Sequence, residues 1–482
     1  MPTVIHQTNG ESHAHPKSTV IDKLIKPSTL SEDSITSFTT RPLPNPPFDA
    51  TGIDTAHLTD LLSLITSAVG TVISEYNAIG HRVPALSSTL PGPFDTPDQA
   101  SPTFTKAIQV IEGACAQLCA TVAGPGHTMI NYEESACLQI VTSAKISDYL
   151  LDKPDGLHVS DLSLLSGLEA DKLSRVLRRL ATVHCYCEVK PNVFANNRLS
   201  MKLLSSDPVG SYVGHVTDEC MKAGTYLADT LQDLEVGHSQ SPDKAAFPRV
   251  LGCGVFDYYT KHKEHGDRFN KAMVGWGRVT GKTALVKAYP WSELPKDTLI
   301  CDVGGGNGHR TLELVKASPQ LMVVVQDLEA TLWTKEYPEV VKEDRVAFVP
   351  LDFFNGVPVK DCDIYYLSHV LHDWPDAECI KILCNIRKAM KATSRILVHD
   401  YVLQHAVRTD MPGNQELAPE PLLPNYGAGK VRGYNLDLNM MAAFNGKERT
   451  LDDFINLGNR ADLRFVRMCE SGETGLVEFC LP

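Results

Sequence analysis

None of the 13 cysteines falls in a C-x-x-C pair. A structural zinc site or a redox dithiol needs such a spacing, so no metal is expected. The cysteines read mainly as buried thiols of a reducing compartment; Cys115 and Cys119 sit at helical spacing, and Cys185 and Cys187 alternate as on a strand. Positive charge is also short. Lys and Arg number 45 against 58 Asp and Glu, a formal net charge of −13. Nucleic acid and anionic membranes select a basic footprint, so neither is expected as a partner. No stretch is expected to reach the ~18 apolar residues of a bilayer span. The first residues, "MPTVIHQTNGESHAHPKSTV", lack an apolar core of signal-peptide length. The expectation is a soluble, cytoplasmic protein of two or three domains, since 482 residues exceed one ordinary core.

Residues 1–50, rich in Ser, Thr and Pro, cannot bury enough apolar surface to offset chain entropy and read as a disordered tail. From Asp54 a helical period places Leu58, Leu61, Leu62, Ile65, Val69, Val72 and Ile73 on one stripe. A Pro/Gly/Ser linker follows at 83–102, and then further helices. Residues 159–204 read as two helices with a turn, then a hairpin with Pro191-Asn192 at its bend, which is a winged-helix pattern. Its second helix carries Lys172, Arg175, Arg178 and Arg179, but the acidic chain weakens a DNA-binding reading. The boundaries drawn are 51–245 for a helical and winged-helix domain and 246–482 for a second domain.

From residue 298 the texture changes. "TLICDV", "LMVVVQDLE", "RVAFVPLDFF", "DCDIYYLSHVLHDW" and "SRILVHDYVL" read as buried strands separated by helices, hence a parallel α/β sheet. "DLRFVRMCESGETGLVEFCLP" reads as a terminal antiparallel hairpin.

"CDVGGGNG" puts Gly304, Gly306 and Gly308 between a strand and a helix, where a backbone can approach a ligand closely. The next strand ends in Asp327, 23 positions beyond Gly304, near the ~20-residue offset of a ribose-binding carboxylate. A dinucleotide fingerprint is lacking, because its sixth position is His309. Asp302 precedes the turn; its carboxylate would repel a pyrophosphate and suit a cation such as a sulfonium. The reading is S-adenosylmethionine (SAM), with Asp352 and Phe353 offering adenine a hydrogen bond and a stacking face.

"LSHVLHDWPDAE" (367–378) ends an apolar run on His372. Ligands of open parallel sheets bind beyond the carboxyl ends of strands, so His372 is the candidate general base for a phenol or activated hydroxyl. Asp400 and Glu448 are candidates to orient it. His369, three residues earlier, is expected on the opposite face as a structural residue. Trp374 is expected to pack the start of a helix. Met273, Trp276, Met440 and Met441 are candidates for an acceptor pocket between the domains, with core packing as the alternative.

In order, "DVGGGNG", "QDL", "LDFF", "HVLHDWPD", "ILVHDYVL" and "NGKERT" resemble the SAM-dependent O-methyltransferase family that includes plant caffeate and flavonoid enzymes and many fungal secondary-metabolite enzymes. The resemblance runs from about residue 55 to the end. It implies a Rossmann-like SAM-methyltransferase sheet with a terminal hairpin, preceded by a winged-helix dimerisation domain, and hence a homodimer. It implies His372 as the base, acids at 400 and 448 beside its ring, and SAM contacts at Gly304, Asp327, Asp352 and Phe353. The implied acceptor is a small hydroxyaromatic, such as a fungal polyketide-type phenol. Plant members have Glu where this chain has Asp400 and Lys where it has Ser368. Some relatives keep SAM but catalyse pericyclic reactions, which is the alternative activity.

Overall fold

The computed structural model describes residues 53–122, 134–280, 284–306, 308–328, 345–408 and 416–482. The tail expected at 1–50 lies outside them. Helix Ile53–Ala78 joins helix Pro102–Val122 in one apolar cluster: Leu61, Leu64 and Ile65 with Val110, Ala114, Leu118, Leu422 and Tyr426. The stripe expected on the first helix is only partly used. Leu61 is fully buried, but Leu62, Val69 and Ile73 are 54%, 40% and 47% exposed. By length and composition alone, Ala56–Ala78 is long and apolar enough to cross a membrane. This corrects the expectation of no such segment: Ser, Thr and Gly interrupt the apolar run without breaking the helix.

Three short strands follow: β1 (Leu157–His158), β2 (Cys187–Lys190) and β3 (Val193–Ala195), antiparallel in the order β1-β3-β2. Helices Val159–Ser166 and Ala170–Thr182 lie between β1 and β2. The second is capped by Glu169, which accepts from the amides of Asp171 and Lys172, and it buries Leu173, Leu177 and Leu180 at helical spacing. The β2–β3 bend falls at Pro191-Asn192, with Asn192 at φ 62°. Arg178 donates twice to Glu188 and once to Asn192, so this cation is held on the hairpin.

Helix Pro208–His215 packs on helix Lys263–Thr280. Gly275 permits it, since a Cβ there would collide with the Pro208 carbonyl. The main sheet has β4 (Thr298–Val303), β5 (Leu321–Gln326), β6 (Val346–Phe348), β7 (Ile364–Ser368) and β8 (Arg395–Asp400). Short β9 (Val402–Leu403) pairs with β10 (Arg449–Thr450). The terminal hairpin is β11 (Arg464–Ser471) and β12 (Thr474–Cys480). The seven-stranded order is β11-β12-β8-β7-β4-β5-β6; β8 through β6 run parallel, and β12 pairs antiparallel with β8.

From β4 the chain builds outward to β6, then returns to lay β7 on the other side of β4. The carboxyl ends of β4 and β7, at that reversal, are where open parallel sheets bind their ligands. Two expected strands are shorter than read. β6 stops at Phe348, leaving Asp352 and Phe353 on a following loop, and β7 stops at Ser368, leaving His372 on a 3-10 turn, Leu371–Asp373.

Candidate active site

The glycine turn after β4 is built mostly from backbone. Gly304, Gly306 and Gly308 have φ of 74°, 55° and 74°, a region costly for other residues. A Cβ on Gly304 would lie 2.8 Å from Val370 Cγ2 and 3.4 Å from the Phe353 ring. A Cβ on Gly306 would meet nothing within 4 Å. The turn is therefore closed on one side and open on the other, a cradle that a ligand fits. Asp327 anchors it: Oδ2 accepts from the Gly306 amide at 2.8 Å and Oδ1 from the Leu328 amide at 2.7 Å.

Asp302 lies beneath the turn. Its Oδ2 accepts from Thr311 Oγ1 at 2.7 Å, and its carboxylate fills the space next to Gly305. Burial raises its pKa to about 7, with Thr311 opposing the rise. Asp352 is exposed and accepts from the Phe354 amide and Asn355 Nδ2, and these bonds hold its carboxyl below the usual range. The Phe353 and Phe354 carbonyls accept from Asn385 Nδ2, which holds this loop to the helix after β7. Trp374 meets Phe354 edge-on at 4.7 Å, just before helix Asp376–Arg387, as expected of a residue packing its start.

His372 is 7% exposed, two residues beyond the Val370 that closes on Gly304. Its Nδ1 donates to Glu448 Oε1 at 2.6 Å. Burial works against the imidazolium, but Glu448, Asp373 and Asp400 outweigh it and raise the His372 pKa to about 10. The "NGKERT" segment clasps this turn. Lys447 N donates to the His372 carbonyl at 3.0 Å, and Gly446 lies so close to that carbonyl that a side chain would not fit. Arg449, 1% exposed, donates to the carbonyls of Leu371 and Trp374, each at 2.8 Å, and to Asp376 Oδ1 at 2.9 Å.

Two expectations for the base are corrected. Asp400 makes no hydrogen bond to the His372 ring; its Oδ1 accepts from the His369 amide at 2.8 Å, and only its charge reaches His372. The second acid beside the ring is Asp373, whose Oδ1 lies 3.5 Å from His372 Nε2 and whose pKa burial pushes up to about 6. His369 does not sit on the opposite face. With the strand ended and φ at 52°, its ring centroid lies 5.1 Å from that of His372. Strand alternation no longer applies once the backbone turns left-handed.

Trp276 is buried, stacks on Tyr212 at 4.9 Å and lies 6.1 Å from Tyr401, which is 6.2 Å from His369. Met440 is buried, and Met273 and Met441 are partly so. A cavity of about 810 Å³ lies elsewhere, among Phe104, Gln109, Thr280, Gln404, Lys430 and Glu473; His372, Trp276 and the three methionines do not line it. Among the described residues, Asp218, Glu219 and His265 group as metal ligands would, but Arg268 and Lys222 already supply the positive charge there. The residues missed from sequence are Arg449, Asp373, His369, Tyr212 and Tyr401. Only Arg449 and Asp373 carried a signal, as neighbours of Glu448 and His372.

A model of the O-methyltransferase domain matches residues 225–464. The chain is 51% identical over 435 residues to 3-O-methyltransferase 2 of Phanerochaete chrysosporium, across 88% of this chain and 97% of that one. It is 31% identical over 480 residues to O-methyltransferase tpcA of Aspergillus fumigatus, across 89% and 97%. Among solved structures, OxaC in complex with SAH and oxaline matches at a TM-score of 0.64 and 21% identity, across 88% of this chain and 100% of that one. The mitomycin 7-O-methyltransferase MmcR matches at 0.60 and 23%, across 76% and 100%. Near-complete coverage of such relatives, together with a mostly parallel sheet whose switch point carries the glycine turn, places the chain: it belongs to the O-methyltransferase family.

Proposed function

We propose that the chain is a SAM-dependent O-methyltransferase that methylates a hydroxyl of an aromatic secondary metabolite, with His372 as general base. The observation that carries this is the buried His372–Glu448 pair at 2.6 Å, on a turn packed against Gly304. The relatives' names and the neighbour's complex with SAH and oxaline support SAM and a small-molecule acceptor.

SAM, when bound, supplies an electrophilic methyl on a sulfonium. Gly304 and Gly306 would leave room for it, Asp327 would take its ribose, and Asp352 and Phe353 would receive adenine. Asp302, beneath the turn, is assigned to the cofactor side as a support for that backbone. With Nδ1–H held by Glu448, Nε2, which has Asp373 Oδ1 3.5 Å away, is the nitrogen assigned to take the acceptor's proton. A phenol ordinarily releases its proton near 10. Glu448, with Asp373 and Asp400, favours the imidazolium that forms when His372 takes such a proton, and Glu448 pairs it. Asp400 supports the site through His369. Holding acceptor oxygen and methyl in contact can remove about 7–11 kcal/mol from the barrier. Trp276, Met273, Met440 and Met441 are assigned to the acceptor wall.

Residues 51–245 are assigned to a winged-helix dimerisation domain and 246–482 to the catalytic domain. The half-exposed Leu62, Val69 and Ile73 support an apolar surface that a second copy would cover.

The test is mass spectrometry of product formed from methyl-labelled SAM and a panel of hydroxyaromatics, beside His372→Ala. Label is expected in a product, falling about 10²–10⁴-fold in the variant while SAM affinity is retained. A rearranged, unlabelled product with SAM unconsumed replaces methyl transfer by the pericyclic reading.

A further inference from the structure

Three imidazoles crowd the carboxyl ends of β7 and β8, and they are partnered differently. His399 is satisfied at both nitrogens, by Tyr366 Oη at 2.6 Å and Thr474 Oγ1 at 2.8 Å. His372 is held at Nδ1 by Glu448. Both ring nitrogens of His369 are buried and neither has a hydrogen-bond partner. Its side chain keeps 13% exposure, and its Nδ1 lies 4.0 Å from Asp400 Oδ1, beyond hydrogen-bond reach. Asp400 Oδ2 and Glu448 Oε2 are also unpartnered, so idle polar atoms gather around the base.

Buried polar groups are almost always satisfied, and each exception calls for a cause. The His369 backbone sharpens the point. Its φ of 52° is uncommon for a residue other than glycine, and it is held there by the Asp400 carboxylate and the His399 carbonyl. A strained residue, anchored by a buried acid, carries two idle ring nitrogens beside the base. Such strain gathers at ligand contacts.

We propose that His369 is a second acceptor contact: its ring hydrogen-bonds a polar substituent next to the hydroxyl that His372 deprotonates, so the site selects aromatics with two neighbouring oxygens. This rests on the methyl-transfer reading above. Burial, Arg310 and the adjacent imidazoles keep the His369 pKa well below its ordinary value. A neutral ring offers one donor and one acceptor, and can serve a hydroxyl or an alkoxy oxygen.

The test assays protein saturated with SAM on matched acceptors that differ only in the neighbouring oxygen, a catechol-type ring against a lone phenol. The intact protein is expected to prefer the dioxygenated ring by about a hundredfold or more in kcat/KM. His369→Phe should lose far more on that ring than on the lone phenol, leaving a ratio of roughly a few-fold. His369→Asn, which tolerates the left-handed backbone and keeps a donor and an acceptor, should retain a ratio of roughly tenfold. An unchanged ratio in His369→Phe, or equal loss on both acceptors, overturns the proposal. If neither acceptor is methylated, the transfer reading fails, and recognition is then judged by nitrogen NMR of labelled histidine in SAH-loaded protein. A His369 signal that moves with the dioxygenated ring and not with the lone phenol supports the contact; one that moves with neither overturns it.

Discussion

The two sides of the site are held over very different chain distances. The glycine turn is tied to Asp327, 21 residues from Gly306, and the Asp352 loop is tied within itself. The base is tied to an acid 76 residues away, and its turn to an arginine 75 and 78 residues from the carbonyls it holds. One side uses backbone shape with few side chains. The other uses buried charge, and removing one partner there leaves the other buried without its compensating charge. A backbone cradle tolerates changes around it, whereas a buried pair fails when either member goes.

Three substitutions test that contrast. Glu448→Gln should have the largest effect. The carboxylate favours the imidazolium and raises the His372 pKa; an amide withdraws that support, so the pKa falls from about 10. The neutral base then persists to lower pH, and the acid limb of kcat/KM should move down in pH. Its maximum should fall about 10²-fold, as stabilisation of the product imidazolium is lost. An acid limb that does not move would break the comparison. Next, Arg449→Met takes the guanidinium away from the Leu371 and Trp374 carbonyls and from Asp376, leaving them the longer contacts of Cys379 and Lys447. A loss of about 1–3 kcal/mol is expected, read as a lower thermal midpoint together with a fall in kcat larger than any change in the KM for SAM. Equal loss in both would mean the arginine supports the fold and not the turn. Gly304→Ala should act least on the base and most on the cradle. The strain of a left-handed alanine is about 1–2 kcal/mol, and its Cβ presses on Val370. SAM affinity, measured by titration, should fall roughly tenfold with the acid limb in place.

Much of this was legible in the residues. Apolar runs in β4, β5, β7 and β8, of Val, Ile and Leu with two tyrosines in β7, announced a parallel sheet, and the Ser-Gly-Glu-Thr-Gly stretch announced the last hairpin. Asp327 stands at the turn because its spacing from the glycines is set by one helix and one strand. The face of His369 was not legible, because nothing in "SHVLHD" marks the residue where extended backbone turns left-handed. Asp400 was assigned to the ring for the same reason: its partner is an amide made available only by that turn. Arg449 stands beside Glu448 in "NGKERT" with no role of its own legible there, and only the three-dimensional clasp shows it buried. The apolar stripe of Ile53–Ala78 was legible as a period, but not which of its residues a single copy leaves open.

The clasp between 371–376 and 446–449 has a consequence for the order of folding. Closing a loop of some 75 residues costs more chain entropy than closing the 21 residues between Gly306 and Asp327. By that entropy alone the acid–base pair is expected to form later than the glycine turn. The glycine turn, made from near neighbours, can be complete while the base is still unsupported, so a partly folded chain would gain its ligand cradle before its chemistry.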